Sequence, residues 1–60
     1  MKFKLNGYQA CLDETPDGWR VTLWDRFDGL LAISAPVAWP DSYILARRML
    51  SRAVIAGGSK

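Results

Sequence analysis

Apolar and polar residues alternate along the first third of the chain, and this pattern predicts β-strands. Two alternating stretches flank Asn6-Gly7, and an Asn-Gly pair is the preferred filling of a two-residue type I′ hairpin loop. Closing this hairpin pairs Leu5 with Tyr8 and keeps the apolar side chains on one face. The alternative interpretation is a single long strand over residues 2–12 with a bulge at Gly7.

Two more strands are predicted farther along the chain, each after a turn. An acidic turn at residues 13–18 precedes a strand at residues 19–24, and a turn at residues 25–29 precedes a short apolar strand at residues 30–35. Both turns contain an Asp-Gly pair, which is typical of tight turns. Residues 36–40 begin and end with proline and are expected to be extended.

The spacing of apolar residues changes to a helical period after Pro40. At 100° per residue, a helix over residues 41–56 has one apolar face. Pro40 and Asp41 suit its start, because proline presets the backbone angle and aspartate faces the positive end of the helix dipole. Gly57-Gly58 is expected to end the helix and leave a frayed tail at residues 57–60. The apolar face consists of Tyr43, Ala46, Met49, Leu50, Ala53 and Val54.

Together these elements predict one small α+β domain over residues 1–60. Its sheet is an antiparallel meander of three to four strands within residues 2–35. The C-terminal helix packs across one face of the sheet, in the order β-β-β-α. The other sheet face is left open to solvent. The sheet side of the predicted core consists of Phe3, Leu5, Tyr8, Ala10, Leu12, Trp19, Val21, Leu23, Leu31 and Ile33.

The short length of the chain limits its stability. A domain of 60 residues buries only about 60 % of the surface that its unfolded chain exposes. Disulfides or metals often compensate in small domains, but Cys11 is the only cysteine and there is no histidine. An intrachain disulfide is therefore excluded, and a structural zinc site lacks ligands. Association with a partner is the remaining means of stabilisation.

The location of the protein is predicted from three features of the sequence. No apolar run reaches the about 20 residues that a membrane span needs, and the N-terminal residues do not have the pattern of a secretory signal. A single free thiol suits a reducing compartment. We therefore expect a cytoplasmic protein that does not bind a membrane.

The net charge of +2 hides an uneven distribution of charge. Residues 1–12 carry two lysines and no acid, whereas residues 13–41 carry six acids and two arginines. Residues 42–60 carry three arginines and one lysine without an acid. The folded protein is therefore expected to be dipolar, with bases on the first strand and the helix. Either a polyanion or an acidic protein surface suits the basic side.

Groups that could support catalysis are scarce. General acid–base catalysis at neutral pH usually uses histidine or a buried carboxylate, and the chain has no histidine. Asp25 and Asp28 lie in a turn, where aspartate side chains bond to the nearby backbone, and the alternating acids of a calcium loop are missing. We therefore expect no enzymatic activity, no cofactor, no metal site and no small-molecule substrate.

The outer face of the predicted helix is the favoured interaction site. Ile44 and Ile55 are eleven residues apart, or three helical turns, and point in the same direction. Aliphatic side chains beside arginine are typical of interface cores. We expect a non-catalytic module that binds a protein partner or a second copy as a homodimer, as small inhibitory accessory proteins of phages and mobile elements do. The candidate interface consists of Ile44, Arg47, Arg48, Ser51, Arg52 and Ile55.

Nucleic-acid binding is the alternative function. The open sheet face is predicted to carry Lys2, Lys4, Arg20 and Trp24, and an exposed tryptophan can stack on a base. Three strands followed by a helix over residues 8–56 resemble, in element order, the plant AP2 domain and the arm-binding domains of some phage integrases. That resemblance implies that the open sheet face enters a DNA groove. Three helix arginines give a salt slope of only about −2.7, whereas firm binders contact about 6 to 10 phosphates, so DNA binding is expected to require a dimer.

The first part of the chain also resembles the N-terminal part of HicB-type antitoxins over residues 8–31. In that family Asp-Gly turns separate three strands before a helix, and Asp17-Gly18 and Asp28-Gly29 have the corresponding positions. The chain lacks the Glu-Ala pair found near the start of that family's helix. The resemblance therefore implies an order of elements and transfers no binding residue.

Overall fold

The computed structural model describes residues 1–58 and contains a four-stranded antiparallel sheet followed by one helix. The strands are β1 (Lys2–Leu5), β2 (Tyr8–Thr15), β3 (Gly18–Trp24) and β4 (Leu30–Ile33), and the helix is α1 (Asp41–Gly58). Neighbours in sequence are neighbours in the sheet. The α+β class, the meander and the C-terminal helix predicted from the sequence are confirmed.

Strands β1 and β2 form the hairpin that Asn6-Gly7 predicts. Asn6 and Gly7 have φ angles of 51° and 87°, and a type I′ turn requires positive φ at both central positions. Leu5 pairs with Tyr8, and the antiparallel register continues along the whole of β1. The alternative interpretation, a single bulged strand, is therefore wrong.

Side-chain oxygen atoms hold the two acidic turns in place. The Thr15 hydroxyl donates a hydrogen bond of 2.7 Å to the carbonyl of Gly18, a glycine with φ of 134°. In the next turn, Asp25 Oδ1 accepts hydrogen bonds from the backbone N–H groups of Phe27 and Gly29, both at 2.7 Å. Asp25 thus has the turn-forming role expected of an aspartate at this position.

Strand β4 is shorter than predicted, and different side chains face the helix. It ends at Ile33, and a bulge shifts its register between Leu23 and Trp24 of β3. Ala32 consequently pairs with Leu23 and packs against the core. Leu31 and Ile33 were predicted to be core residues, but they are 49 % and 55 % exposed. The reason is the extra residue of the bulge, which breaks the strict alternation of the two faces.

The hydrophobic core lies between the sheet and α1. Leu5 was also predicted to be part of it but is 44 % exposed, because β1 is an edge strand with a neighbour on only one side. Ser42 is fully buried, and its hydroxyl has no hydrogen-bond partner among the described residues. The buried core consists of Ala10, Leu12, Val21, Leu23, Ala46 and Leu50. Partly buried around it are Phe3, Tyr8, Trp19, Ala32, Leu45, Met49 and Ala53.

Aromatic side chains join the segment before the helix to the rest of the fold. Val37 forms two backbone hydrogen bonds of 2.8 Å with Trp19 of β3. The Trp39–Pro40 peptide bond is cis. The ring of Trp39 lies 5.6 Å from that of Trp19 and 5.9 Å from that of Tyr43, measured between centroids. The segment thus packs on β3 and on the first turn of α1.

Helix α1 begins where the sequence predicts and ends later. It starts at Asp41, and the carbonyl of Pro40 accepts a hydrogen bond from the N–H of Ile44 at 3.3 Å. The predicted end at residue 56 is wrong, because the helix continues through Gly57 and Gly58. The rest of the expected frayed tail, residues 59–60, lies outside the described residues.

Gly57 has a packing role near the C-terminal end of the helix. The hydroxyl of Tyr8 occupies the space that a β-carbon on Gly57 would need. A larger residue at this position would displace the Tyr8 side chain, so glycine suits the close approach of α1 to β2. Gly57 therefore lies in the last turn of the helix and in contact with the sheet.

Candidate functional site

The candidate interface lies on the surface of α1 that faces away from the sheet. Ile44 and Ile55 are 48 % and 71 % exposed, and at 1.5 Å per residue they are about 16 Å apart along the helix. The structure therefore brings all six predicted residues together as an aliphatic line with arginines beside it. We call this surface the outer stripe, and its exposed residues are Ile44, Arg47, Arg48, Ser51, Arg52 and Ile55.

Two of the three arginines of the outer stripe are not engaged within the described part of the chain. Arg47 donates a hydrogen bond of 3.2 Å to the hydroxyl of Tyr43, and its guanidinium lies 5.8 Å from the centre of that ring. Arg48 and Arg52 make no side-chain hydrogen bond or ion pair with any residue from 1 to 58. Their charges are therefore open to an external partner.

The outer stripe borders a shallow depression of about 770 Å³. Every residue that lines it lies between Tyr43 and Arg52 of α1. A surface formed by one helix has no opposite wall, whereas small-molecule sites enclose most of their ligand. The depression is therefore suited to contact with a large partner and not to holding a substrate.

A second hollow lies between β1 and α1, and the sequence did not predict it. Its volume is about 350 Å³. It adjoins the outer stripe, because Arg47 and Ser51 line both features. No carboxylate from residues 1–58 lines it. We call this hollow the β1–α1 groove, and its lining residues are Lys2, Phe3, Lys4, Leu5, Arg47, Leu50 and Ser51.

The residues proposed for nucleic-acid binding lie on the sheet face opposite α1, and the structure brings only three of the four together. Strand register places Lys4, Gln9 and Trp24 in one row across β1, β2 and β3. Lys2 lies in the next row and shares a shallow hollow with Trp24. Arg20 is farther along β3 and directly opposite Asp13, whose carboxylate weakens the positive potential there.

The same sheet face has an apolar half that the sequence did not predict. Ile33 pairs with Thr22, and Leu30 pairs with Trp24. Leu30 and Ile33 are 53 % and 55 % exposed. The prediction missed them because it assumed strict alternation through the bulge, which placed Ile33 in the core.

No group of three histidine, cysteine, aspartate or glutamate side chains within residues 1–58 is arranged to hold a metal ion. In the same part of the chain, no helix combines the length and the apolar character needed to cross a membrane.

Comparison of the chain with protein-family models, with curated proteins and with solved structures finds no match.

Proposed function

We propose that the protein is a small non-catalytic binding module whose outer stripe covers an acidic, partly apolar surface of a larger protein. The observation that carries this proposal is the alignment of two exposed isoleucines with arginines that have no ionic partner in the described chain. Interface cores combine apolar side chains with arginine. A module of this kind acts by occupying its partner's surface in a reducing compartment such as the cytoplasm, as an inhibitor does.

A second copy of the chain fits the outer stripe poorly. In a two-fold dimer with antiparallel helices and Ile44 against Ile55, the helical angles place Arg48 of each copy against Arg52 of the other. With parallel helices, Arg48 faces Arg47. Like charges brought together in an interface cost several kcal/mol. We therefore propose an acidic partner of a different kind in preference to a homodimer.

The proposal is tested by substituting the exposed isoleucines with a charged residue. The immobilised protein is used to capture partners from a cell extract, each captured protein is identified and purified, and its affinity is then measured by calorimetry. Ile44→Asp and Ile55→Asp are each expected to weaken this affinity by a factor of about 30 or more, since hot-spot losses are about 2 kcal/mol or larger.

A matched control is available on the other side of the molecule. Ile33 is as exposed as Ile44 and lies on the open sheet face, so Ile33→Asp is expected to leave the affinity within a factor of about two. Circular dichroism confirms the fold of each variant. Equal affinity of the wild type, Ile44→Asp and Ile55→Asp for every purified partner would show that the outer stripe is not the interface.

A DNA-binding function is the alternative, and the row formed by Lys4, Gln9 and Trp24 favours it. In this arrangement a phosphate contact lies beside a ring that can stack on a base. Contacts from Lys2 and Lys4 predict a salt slope of about −1.8 per monomer. Size-exclusion chromatography with light scattering, with and without a DNA duplex, measures both the oligomeric state and the complex. A monomer that does not shift with the duplex at low salt would exclude this alternative.

A further inference from the structure

Strand β1 has backbone hydrogen-bonding groups that face away from the sheet. Met1 and Leu12 exchange two backbone hydrogen bonds, of 2.7 and 3.2 Å. Bonded and non-bonded pairs alternate in an antiparallel ladder, so the pairs of Lys2 with Cys11 and of Lys4 with Gln9 are non-hydrogen-bonded. The N–H and C=O groups of Lys2 and Lys4 consequently point outward from the free edge of the sheet.

These outward groups open onto the β1–α1 groove. Lys2 and Lys4 line one wall of the groove, and Arg47 and Ser51 of α1 line the other. No hydrogen bond from another described residue reaches the backbone groups of Lys2 and Lys4. A neighbouring strand would lie about 4.8 Å from β1 and would satisfy them.

The charge on both sides of the free edge defines what kind of strand it suits. Lys2 and Lys4 lie at edge positions whose side chains belong to the sheet face opposite α1, Arg47 lines the groove on the α1 side, and no carboxylate of residues 1–58 lines the groove. A second copy of β1 is a poor occupant, because the lysines of the two copies would be neighbours on one face of the joined sheet. A chain with acidic residues at alternate positions would place them beside these lysines.

We propose that the β1–α1 groove binds an extended acidic peptide segment, which adds to the sheet as a fifth strand alongside β1. This is the β-augmentation mode of peptide recognition, in which backbone hydrogen bonds supply affinity and alternate side chains supply specificity. The proposal deepens the proposed function and rests on it, since Arg47 and Ser51 belong to both surfaces. The acidic partner then contacts the outer stripe with one part and β1 with an extended segment.

The test uses a capped hexapeptide of alternating glutamate and valine and the intact protein labelled with nitrogen-15. Saturation with the peptide is expected to slow hydrogen exchange of the Lys4 amide at least about tenfold. The amide of Phe3, already bonded to β2, is expected to change much less. A hexapeptide of alternating lysine and valine is the charge control and is expected not to bind.

Two substitutions at one position separate the backbone contact from the charge. Lys4→Ala removes the charge and keeps the outward N–H. Lys4→Pro removes both the charge and the N–H group. No hydrogen bond to β2 is lost, because the Lys4 N–H points away from β2, and proline is tolerated at such a position of an edge strand. We expect Lys4→Pro to bind the glutamate peptide about five- to tenfold more weakly than Lys4→Ala does, which is the effect of one hydrogen bond.

The outcomes distinguish this proposal from the proposed function. If Lys4→Pro and Lys4→Ala bind equally and the Lys4 amide of the wild type exchanges as fast with peptide as without it, strand addition is wrong. The exchange measurement on the wild type decides the question even if Lys4→Pro does not fold. A different result would support the proposed function alone. In that case Ile44→Asp abolishes binding of the purified partner, but the Lys4 amide of the wild-type protein stays unprotected in its complex with that partner. The outer stripe would then be the interface, and the β1–α1 groove would not be part of it.

Discussion

The two edge strands of the sheet have equal lengths and opposite characters. Strand β1 carries two lysines, whose backbone groups face outward beside the β1–α1 groove. Strand β4 carries no charge, and three of its four residues are large and apolar with about half of their surface exposed. These are Leu30, Leu31 and Ile33, at 53 %, 49 % and 55 %.

The difference illustrates two ways in which a small sheet limits pairing between copies at its free edges. Charged residues on a free edge oppose pairing between copies, and a short, bulged strand limits pairing where charge is missing. Lysines protect β1 and, in the binding mode that we propose, also select an acidic ligand. The bulge opposite Leu23 and Trp24 and the end of the strand at Ile33 limit pairing at β4.

The largest expected effect on stability comes from a substitution in a central strand of the sheet, where side chains are buried more completely than on either edge strand. Leu12 on β2 is 2 % exposed, and Leu12→Ala is expected to lower the free energy of unfolding by about 2–5 kcal/mol. Ile33→Ala on β4 removes a half-exposed side chain and should cost less than about 1 kcal/mol. Urea denaturation followed by circular dichroism measures both. Equal losses would show that β4 supports the fold as much as β2 does.

The next largest effect on stability is expected from proline substitutions on β1, which distinguish amides that bond to β2 from amides that point outward. Phe3→Pro removes a ladder hydrogen bond to Ala10 and the ring contact of Phe3 with Tyr43, whose centroids are 5.2 Å apart. The expected loss is about 2–3 kcal/mol. Lys4→Pro should remain within about 1 kcal/mol of the wild type. Thermal unfolding of the two variants tests which amides of β1 bond to β2. A larger loss of stability for Lys4→Pro than for Phe3→Pro would show that the Lys4 amide points toward β2 and the Phe3 amide points outward.

A smaller effect is expected at the turn that positions β1. Gly7 has φ of 87°, and a β-carbon there would lie 2.7 Å from the flexible side chain of Arg26. Gly7→Ala should therefore cost about 1–2 kcal/mol, the usual strain of a left-handed residue. Glycine adopts the positive φ of position 6 readily. Asn6→Gly is therefore expected to change the free energy of unfolding by less than Gly7→Ala does. Calorimetric unfolding of both variants decides whether the type I′ geometry stabilises the edge.

The smallest effect on stability is expected when β4 is given the character of β1. Ile33→Lys places a charge on an exposed position of the apolar edge and should alter stability by less than about 1 kcal/mol. Light scattering at high protein concentration is expected to show no more association than in the wild type, since a lysine on a free edge opposes pairing between copies. More association in the variant would show that apolar exposure on β4 does not drive contact between copies.

The sequence predicted those features that depend on neighbouring residues. The register of the first hairpin follows from Asn6-Gly7, whose backbone angles specify one turn type. The exposure of Ile44 and Ile55 follows from helical angles alone. In both cases a short segment determines the result without knowledge of the rest of the fold.

The features that were missed depend on contacts between distant segments. The bulge that turns Ala32 inward in place of Ile33 lies between two strands and has no marker in β4 itself. Gly57 was interpreted as a helix end because its contact with Tyr8 is made across the core. The β1–α1 groove exists because α1 crosses the sheet beside β1, and periodicity does not specify that lateral position.

The contact between Trp19 and Trp39 gives the molecule an optical signature. Two indole rings with centroids 5.6 Å apart and planes inclined by 50° couple their electronic transitions, which produces a paired positive and negative band in the circular dichroism spectrum. One ring belongs to β3, and the other precedes α1, so the band reports whether the sheet and the helix remain docked. Loss of that docking during unfolding can therefore be followed in unlabelled protein, without a dye or an isotope.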